Sequence, residues 1–233
     1  MNTNNIAIIP ARGGSKGVPK KNIRKLAGYP LIYYTIVEAL KSKLIDRYIV
    51  STDNKYIQKI AKSYGAETPF LRPKYLSSDK ATSVDALKHC VNWIEKEEKS
   101  KYDIVIELMC TNPLKKSKDI DLIIQKLIST KADSVIAVHR IFDEHPIRAK
   151  KIINDKIVNF SLNEKIESRR QSLKPFAYLR SGSIYALNRN YLMHKSQRYG
   201  SKNSRPYILP DNRVINIDRE IDFLTAEAMM NNK

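Results

Sequence analysis

IAIIPARGGSKGVPKKN, residues 6–22, opens on an apolar run and breaks into a loop carrying Gly13, Gly14 and Gly17 among Arg12, Lys16, Lys20 and Lys21. Such a run, Ile6 to Ile9, suits a buried strand. A buried strand that opens into glycines lets backbone N–H groups approach an anion closely. Cationic side chains in the same loop then neutralise a phosphate chain. The spacing fits neither common phosphate loop. GxGxxG fails because Gly13 and Gly14 are adjacent, and GxxxxGK[ST] fails because Val18 follows Gly17. The residues alone leave two readings open: a polyphosphate site of a third kind, or a solvated basic loop behind a strand.

Downstream, short apolar runs alternate with helix-period segments, which predicts βαβ units, an α/β fold and a largely parallel sheet. Pro30 reads as a first-turn proline before Leu31, Ile32, Ile36 and Leu40. Tyr48 to Val50 is an expected strand. Asp53 is expected to cap the next helix, and Gly65 to stop it. Thr82 and Asp85 form a capping pair for a helix from Ser83 to about Lys96. A buried strand at Ile104 to Met109, a helix from about Lys118 to Ser129 and a strand at Ser134 to Val138 follow. Lys151 to Phe160 alternates around Asn154-Asp155, a hairpin signal. Residues 140–180 therefore interrupt the rhythm as an inserted excursion. Expected strands at Ser183–Leu187 and Val214–Ile217, and a last helix to Met230, complete the pattern.

A chain of 233 residues fits one domain with a sizeable core. Its 42 Lys and Arg against 24 Asp and Glu give +18, which alone is a nucleic-acid signal. The lysines are scattered, however, and no aromatic-rich RNA motif or recognition-helix signature accompanies them. No nucleic-acid partner is expected; a positive field also steers small anionic substrates. Cys90 and Cys110 lack CxxC spacing, so neither a disulfide framework nor a zinc site is supported. Reduced cytoplasmic thiols are the simpler account. MNTNNIAIIPARGG has no basic n-region or long apolar core, and no run approaches the roughly 18 apolar residues of a membrane span. A cytoplasmic protein without a membrane partner is the expectation.

IPARGGSKGVPKKNI strongly resembles the opening motif of the acylneuraminate cytidylyltransferases, the CMP-sialic acid synthetase family. Ser51-Thr52-Asp53 resembles that family's second-strand end, and Arg72-Pro73 with Leu76, Asp79 and Ala81 its nucleotide-pocket segment. Arg169-Arg170-Gln171 with Gly182 and Tyr185 is similar to its sugar-side region, and Ile217-Asp218 with Asp222-Phe223 to its terminal metal motif. The matches run in order from residue 6 to about residue 227. The resemblance implies a Rossmann-like three-layer nucleotidyltransferase with a mostly parallel sheet. It further implies one cytidylyltransferase domain over 1–233, with an inserted dimerisation and sugar-binding segment at about 140–180. It also implies a homodimer, Mg²⁺ as cofactor, and CTP coupled to an acidic 2-keto nonulosonic sugar with release of pyrophosphate. Another 2-keto sugar acid (Kdo, legionaminic or pseudaminic acid) is the alternative substrate.

Carried over residue by residue, the resemblance makes Arg12, Lys16 and Lys21 the catalytic ligands of the triphosphate and leaving group. Ser15 and the backbone of Gly13 and Gly14 add hydrogen bonds, and Asn22 lies toward the cytidine. Arg72, Ala81 and Ser83 line the nucleoside pocket. Arg148, Arg170, Gln171 and Tyr178 bind the sugar, arginine suiting a carboxylate through its bidentate fork. Solubility charges on an insertion are the plainer alternative for this last group. Asp218 is assigned to Mg²⁺, a hard cation that takes carboxylate oxygen; sequence physics alone favours a helix N-cap there. Three positions depart from the family pattern. Asn216 stands where an aspartate is usual, Met109-Cys110-Thr111-Asn112-Pro113 replaces Gln-Pro-Thr-Ser-Pro, and Ser181-Gly182 replaces Asn-Gly. All three fall on the sugar or metal side.

Overall fold

The computed structural model describes residues 3–15, 17–164 and 169–231. In chain order its strands are β1 (Asn5–Pro10), β2 (Lys25–Leu26), β3 (Tyr29–Pro30), β4 (Arg47–Ser51), β5 (Ile104–Leu108), β6 (Ser134–Ile141), β7 (Lys150–Ile153), β8 (Lys156–Asn159), β9 (Ala177–Asn188) and β10 (Ser204–Ile208). The α-helices are α1 (Leu31–Leu40), α2 (Lys55–Ser63), α3 (Ser83–Glu98), α4 (Ser117–Thr130), α5 (Arg189–Lys195) and α6 (Glu220–Asn231). Six strands make the central sheet in the order β10-β6-β9-β5-β1-β4. β1 is parallel to β4 and β5, and β10 to β6; β9 runs antiparallel to β5 and β6.

Alternation along β1 sorts the core into layers. Ala7 and Ile9 face a cluster with Ile32 and Ile36 of α1, Ile57 of α2 and Ile120 of α4. Ile6 and Ile8 face Leu87, Val91 and Ile94 of α3 and Leu192 of α5. A strand covered on both sides reads as a continuous apolar run, as IAII does. Each fully buried isoleucine contributes about 1.5–3 kcal/mol. The result is the expected three-layer α/β architecture.

Local expectations hold in part. The Thr82–Asp85 capping box starts α3, and Gly65, at φ +87°, follows α2. Asp53 does not cap α2. Asn54 does, its side-chain oxygen accepting from the N–H groups of Tyr56 and Ile57. Val214–Ile217 forms no ladder; the N–H of Ile217 donates to the Thr111 carbonyl at 2.9 Å. One of the sheet's two outer strands is instead β10, whose Pro206 obscured it. Proline lacks a ladder donor and is tolerated at an edge, which is where β10 lies. β9 is longer than expected because it continues through Gly182, at φ +61°, where its register against β6 shifts.

Between β6 and β9 the chain leaves the central sheet. β7 and β8 pair as a separate hairpin, turning at Asn154-Asp155 with both φ values positive (46° and 60°). Ile152 and Ile157, a register pair on that hairpin, are 76 % and 75 % exposed. His145 is buried at the base of the excursion, where Nδ1 accepts from the Ile147 N–H and Nε2 meets the Pro175 carbonyl. It clips the segment together. Among the described residues no helix is long and apolar enough to cross a membrane.

Candidate active site

A cavity of about 410 Å³ opens beyond the carboxyl ends of β1 and β5, the edge where open α/β sheets bind ligands. The glycine loop supplies Arg12, Ser15, Gly17, Lys21 and Asn22. The α2–α3 connection and the start of α3 supply Arg72, Asp79, Ala81 and Ser83, and Met109, Thr111 and Asp218 close the far side. Arg12, Ser15, Lys21, Asn22, Arg72, Ala81, Ser83 and Asp218 thus converge from segments far apart in sequence, whereas Gly13 and Gly14 do not line the cavity. Lys16 lies outside the described residues.

The loop is held by its neighbours. The Gly13 N–H donates to Asp53 Oδ1 at 2.8 Å, so this carboxylate serves the loop while Asn54 caps α2. Gly13 therefore anchors the loop and lines a second hollow behind it, beside Asn54 and Tyr56. Asn22, nearly buried, donates to the Arg12 carbonyl at 3.0 Å. A Cβ on Gly17 would stand 2.1 Å from the Asp218 carbonyl oxygen, so only glycine permits this approach. A Cβ on Gly14 would meet no protein atom within 4 Å. Protein packing does not require glycine at that position.

The charges are arranged around the opening. Arg12 pairs with Asp79 at 3.2 Å across the exposed mouth. Lys21 Nζ donates to Asp218 Oδ1 at 2.8 Å and to the Ile217 carbonyl at 2.9 Å. Arg72 is only 5 % exposed, with Nε donating to Ser77 Oγ at 3.0 Å. Burial lowers its pKa from the ordinary arginine value, Asp53 opposing the effect; it stays cationic.

Asp218 does not cap α6. The Asp222 carboxylate accepts from the N–H groups of Asp218 and Arg219, at 3.0 and 2.8 Å. Asn216 turns its NH₂ toward Asp218 and its oxygen toward Gly182, so it offers a donor there rather than a cation ligand. Among the described residues no three acidic, imidazole or thiol groups gather as a metal cage. One carboxylate completed by substrate phosphates is an ordinary Mg²⁺ arrangement. Asp218, at the cavity edge, fits that donor set.

Arg148, Gln171 and Tyr178, three of the expected sugar residues, do not line this cavity; the side chain of Arg170 lies outside what the structure describes. Arg148 pairs with Asp143 at 3.5 Å on the excursion. Gln171 is exposed on the short turn Arg170–Ser172, and Tyr178 is exposed near the start of β9. The backbone of Arg170 lies in the same turn. All four sit on the excursion or its return strand.

Other polar groups near the site carry little sequence signal. Glu107, fully buried on β5, accepts from Arg198 at 2.7 Å, and burial raises its pKa while Arg198 opposes the rise. Arg198 in turn lies over the Tyr185 ring, 4.6 Å from its centroid. An acid inside IVIEL and an arginine in a lysine-rich chain give no hint of each other. Both cysteines are free and buried, their thiols pushed up to about 12 (Cys90) and about 11 (Cys110), so neither is a reactive nucleophile.

Comparison with known proteins sharpens this picture. Residues 6–225 match the Cytidylyltransferase family. Post-translational flagellin modification protein B of Campylobacter coli is 30 % identical over 233 residues, covering 98 % of this chain and 95 % of that protein. A pseudaminic acid cytidylyltransferase of Campylobacter jejuni (serotype O:23/36, strain 81-176) is 33 % identical over 226 residues, covering 97 % of this chain and 95 % of that protein. A solved structure of CMP:2-keto-3-deoxy-manno-octonic acid synthetase complexed with CTP superposes with a TM-score of 0.71 at 20 % identity, covering 99 % of both chains. That last likeness is one of fold.

Proposed function

This chain belongs to the cytidylyltransferase family, and on that premise we propose that it activates a nonulosonic acid as its CMP derivative, with pseudaminic acid the first substrate to test. It is a CTP-dependent cytidylyltransferase that couples CTP to a nonulosonic sugar, as its relatives' names indicate. The observation that carries the reading is the convergence of Arg12, Ser15, Lys21, Arg72 and Asp218 on one cavity at the strand ends. Pseudaminic acid comes first because a relative matched over almost its whole length carries that name.

In the reaction the sugar's anomeric hydroxyl attacks the α-phosphorus of CTP and pyrophosphate leaves. Negative charge grows on the α-phosphoryl oxygens and the leaving group, so the work is positioning and electrostatic stabilisation. Arg12 stands at the mouth to bind phosphate oxygens through its fork, exchanging Asp79 for the substrate. Lys21 places a fixed positive charge beside Asp218. The unobstructed space at Gly14 leaves room for a phosphate to approach the backbone. Arg72, Ala81 and Ser83 line the nucleoside end. Mg²⁺, bound by Asp218 and the substrate phosphates, would act as Lewis acid and clamp.

The excursion at about 140–180 is assigned to dimerisation within the single domain. Its exposed apolar residues, Ile152, Ile157 and Phe160 among them, form a face suited to a second copy of the chain. In that assembly Arg148, Arg170, Gln171 and Tyr178 serve the sugar. The reaction belongs in the cytoplasm, where CTP is available and the two free thiols stay reduced. The deciding experiment measures pyrophosphate release with CTP and Mg²⁺ against pseudaminic, legionaminic, N-acetylneuraminic and Kdo acids. Turnover confined to Kdo would overturn the nonulosonic assignment. Light scattering at micromolar concentration tests the dimer, and a monomer rules it out.

A further inference from the structure

The bulkiest side chain buried completely among the described residues is a lysine, Lys115. It lies two residues before α4, beneath the loop that follows β5. An ammonium carries three donors and no acceptor, so burying it requires three acceptors in the right places. Nζ finds them in Thr35 Oγ1 of α1 at 2.8 Å, the Met109 carbonyl at 2.8 Å, and the Asn112 carbonyl. Lys115 itself forms no ion pair with the described residues. Glu38 of α1 is engaged by Lys41, Lys116 and the Ser117 N–H.

The two carbonyls belong to the ends of one short segment, Met109–Asn112, whose Met109, Cys110 and Thr111 form a wall of the cavity. Of the two carbonyls between them, that of Thr111 accepts from the Ile217 N–H at 2.9 Å. Asn112 adds a second tie, Nδ2 donating to the Arg213 carbonyl at 3.0 Å. The segment that ends in Asp218 is thus moored to the loop that Lys115 holds.

We propose that Lys115 is a positioning residue for the reaction: it fixes the Met109–Asn112 wall and, through Thr111 and Ile217, the place of Asp218. The inference rests on reading the cavity as the CTP site. A methionine at 115 would fill the same volume yet leave two inward-facing carbonyls without a donor. Arginine would bring a planar fork to a site built around three convergent acceptors.

The test is Lys115→Met in the full chain. kcat and KM are measured for both substrates, and CTP affinity by calorimetry across a Mg²⁺ titration. Misplacing Asp218 by about an ångström should lower kcat by about 10–100-fold while KM for CTP stays within about threefold. The Mg²⁺ needed for half-maximal CTP binding should rise at least about fivefold, as expected for a disturbed carboxylate ligand. Wild-type kcat with an unchanged Mg²⁺ curve overturns the proposal. So does lost activity that tracks only the fraction of folded protein. Should Lys115→Met fail to fold, Thr35→Val removes one acceptor and must show the same split in smaller measure, or the proposal fails. A wild-type chain that binds CTP but consumes no sugar acid would overturn the reaction instead, leaving the Mg²⁺-dependent CTP affinity to judge Lys115.

Discussion

Gly17 and Asp218 are in backbone contact: a Cβ on Gly17 would stand 2.1 Å from the Asp218 carbonyl oxygen. The glycine loop and the proposed metal ligand, 201 residues apart, are therefore one mechanical unit. Gly17→Ala must push one away from the other, and the obstacle is backbone rather than a flexible side-chain tip. A displacement of about 1 Å near the reacting atoms costs about 100-fold in rate. The expected result is a folded protein with kcat/KM for CTP reduced at least that far. Gly14→Ala is the contrast, since its Cβ meets no protein atom. It should leave the melting temperature unchanged while weakening CTP binding measured by calorimetry.

Arg12→Ala separates catalysis from stability. The Arg12–Asp79 pair lies at the exposed mouth, and exposed pairs contribute about 0–1 kcal/mol. A charge-assisted contact made to the transition state contributes about 2–4 kcal/mol. Turnover should fall by roughly two to three orders of magnitude at nearly constant thermal stability. Unchanged kcat/KM with CTP would remove Arg12 from the phosphate site.

The two outcomes trace back to what a single sequence encodes. The three-layer sheet was legible because IAII, IVIEL and their neighbours are buried on both faces and so carry no polar alternation. The cavity's loop wall was legible because its glycines, cations and Asn22 are contiguous. Three things were hidden. Asp53 and Asn54 are adjacent cap-forming residues, and only the three-dimensional placement of Gly13 decides which one caps α2. β10 was masked by its proline. Lys115 looks like any other lysine of Pro113-Leu114-Lys115-Lys116-Ser117, because burial is set by the distant Thr35 and by carbonyls, which have no letter in the sequence. The four sugar candidates were chosen by resemblance and chemistry, and Arg148, Gln171 and Tyr178 do not line the cavity.

The division of labour between Asp53 and Asn54 is itself testable. Asn54→Ala removes the acceptor for two helix N–H groups and should cost about 1 kcal/mol of stability, read by urea denaturation, with kcat nearly intact. Asp53→Ala unhooks Gly13 and should do the reverse, lowering kcat more than stability. Equal effects on both quantities would mean that the two side chains are interchangeable.

Lys115 gives stability an unusual pH dependence. Burial lowers its pKa from 10.5 to about 8, with Cys110 and Glu38 opposing the shift. Between about pH 8 and 10.5 the unfolded chain holds more of this proton than the folded one, so this group's contribution to stability increases as pH rises. Below about 8 both states are charged and the slope vanishes. The full window corresponds to about 3 kcal/mol. Wild type should therefore gain on Lys115→Met as pH is raised from 7.5 to 10, measured as the difference between their urea unfolding free energies. A flat difference would show that Lys115 titrates alike in both states.

Asp218 and Asp222 are four residues apart and are expected to respond oppositely to the same substitution. The Asp222 carboxylate closes the entry to α6 by accepting the N–H groups of Asp218 and Arg219. Hydrogen bonds from those two N–H groups and from the Arg219 side chain overcome the effect of burial, the largest single one, and keep its pKa below the usual carboxylate range. Asparagine accepts such bonds about as well as aspartate, so Asp222→Asn should change stability by less than about 1 kcal/mol and leave the Mg²⁺ requirement where it was. Asp218 instead faces Lys21 and Asn216 at the cavity. Asp218→Asn removes the carboxylate proposed for Mg²⁺ and the partner of Lys21, so activity should fall at least about 100-fold, with partial recovery at high Mg²⁺. Asn216→Asp adds a second carboxylate beside the first, and added ligand charge favours a hard divalent cation; the Mg²⁺ concentration for half-maximal activity should drop. The check is a Mg²⁺ titration of pyrophosphate release for the three variants side by side. If Asp218→Asn follows the wild-type curve, Mg²⁺ is not held by Asp218, and the residue's remaining role is to pair with Lys21.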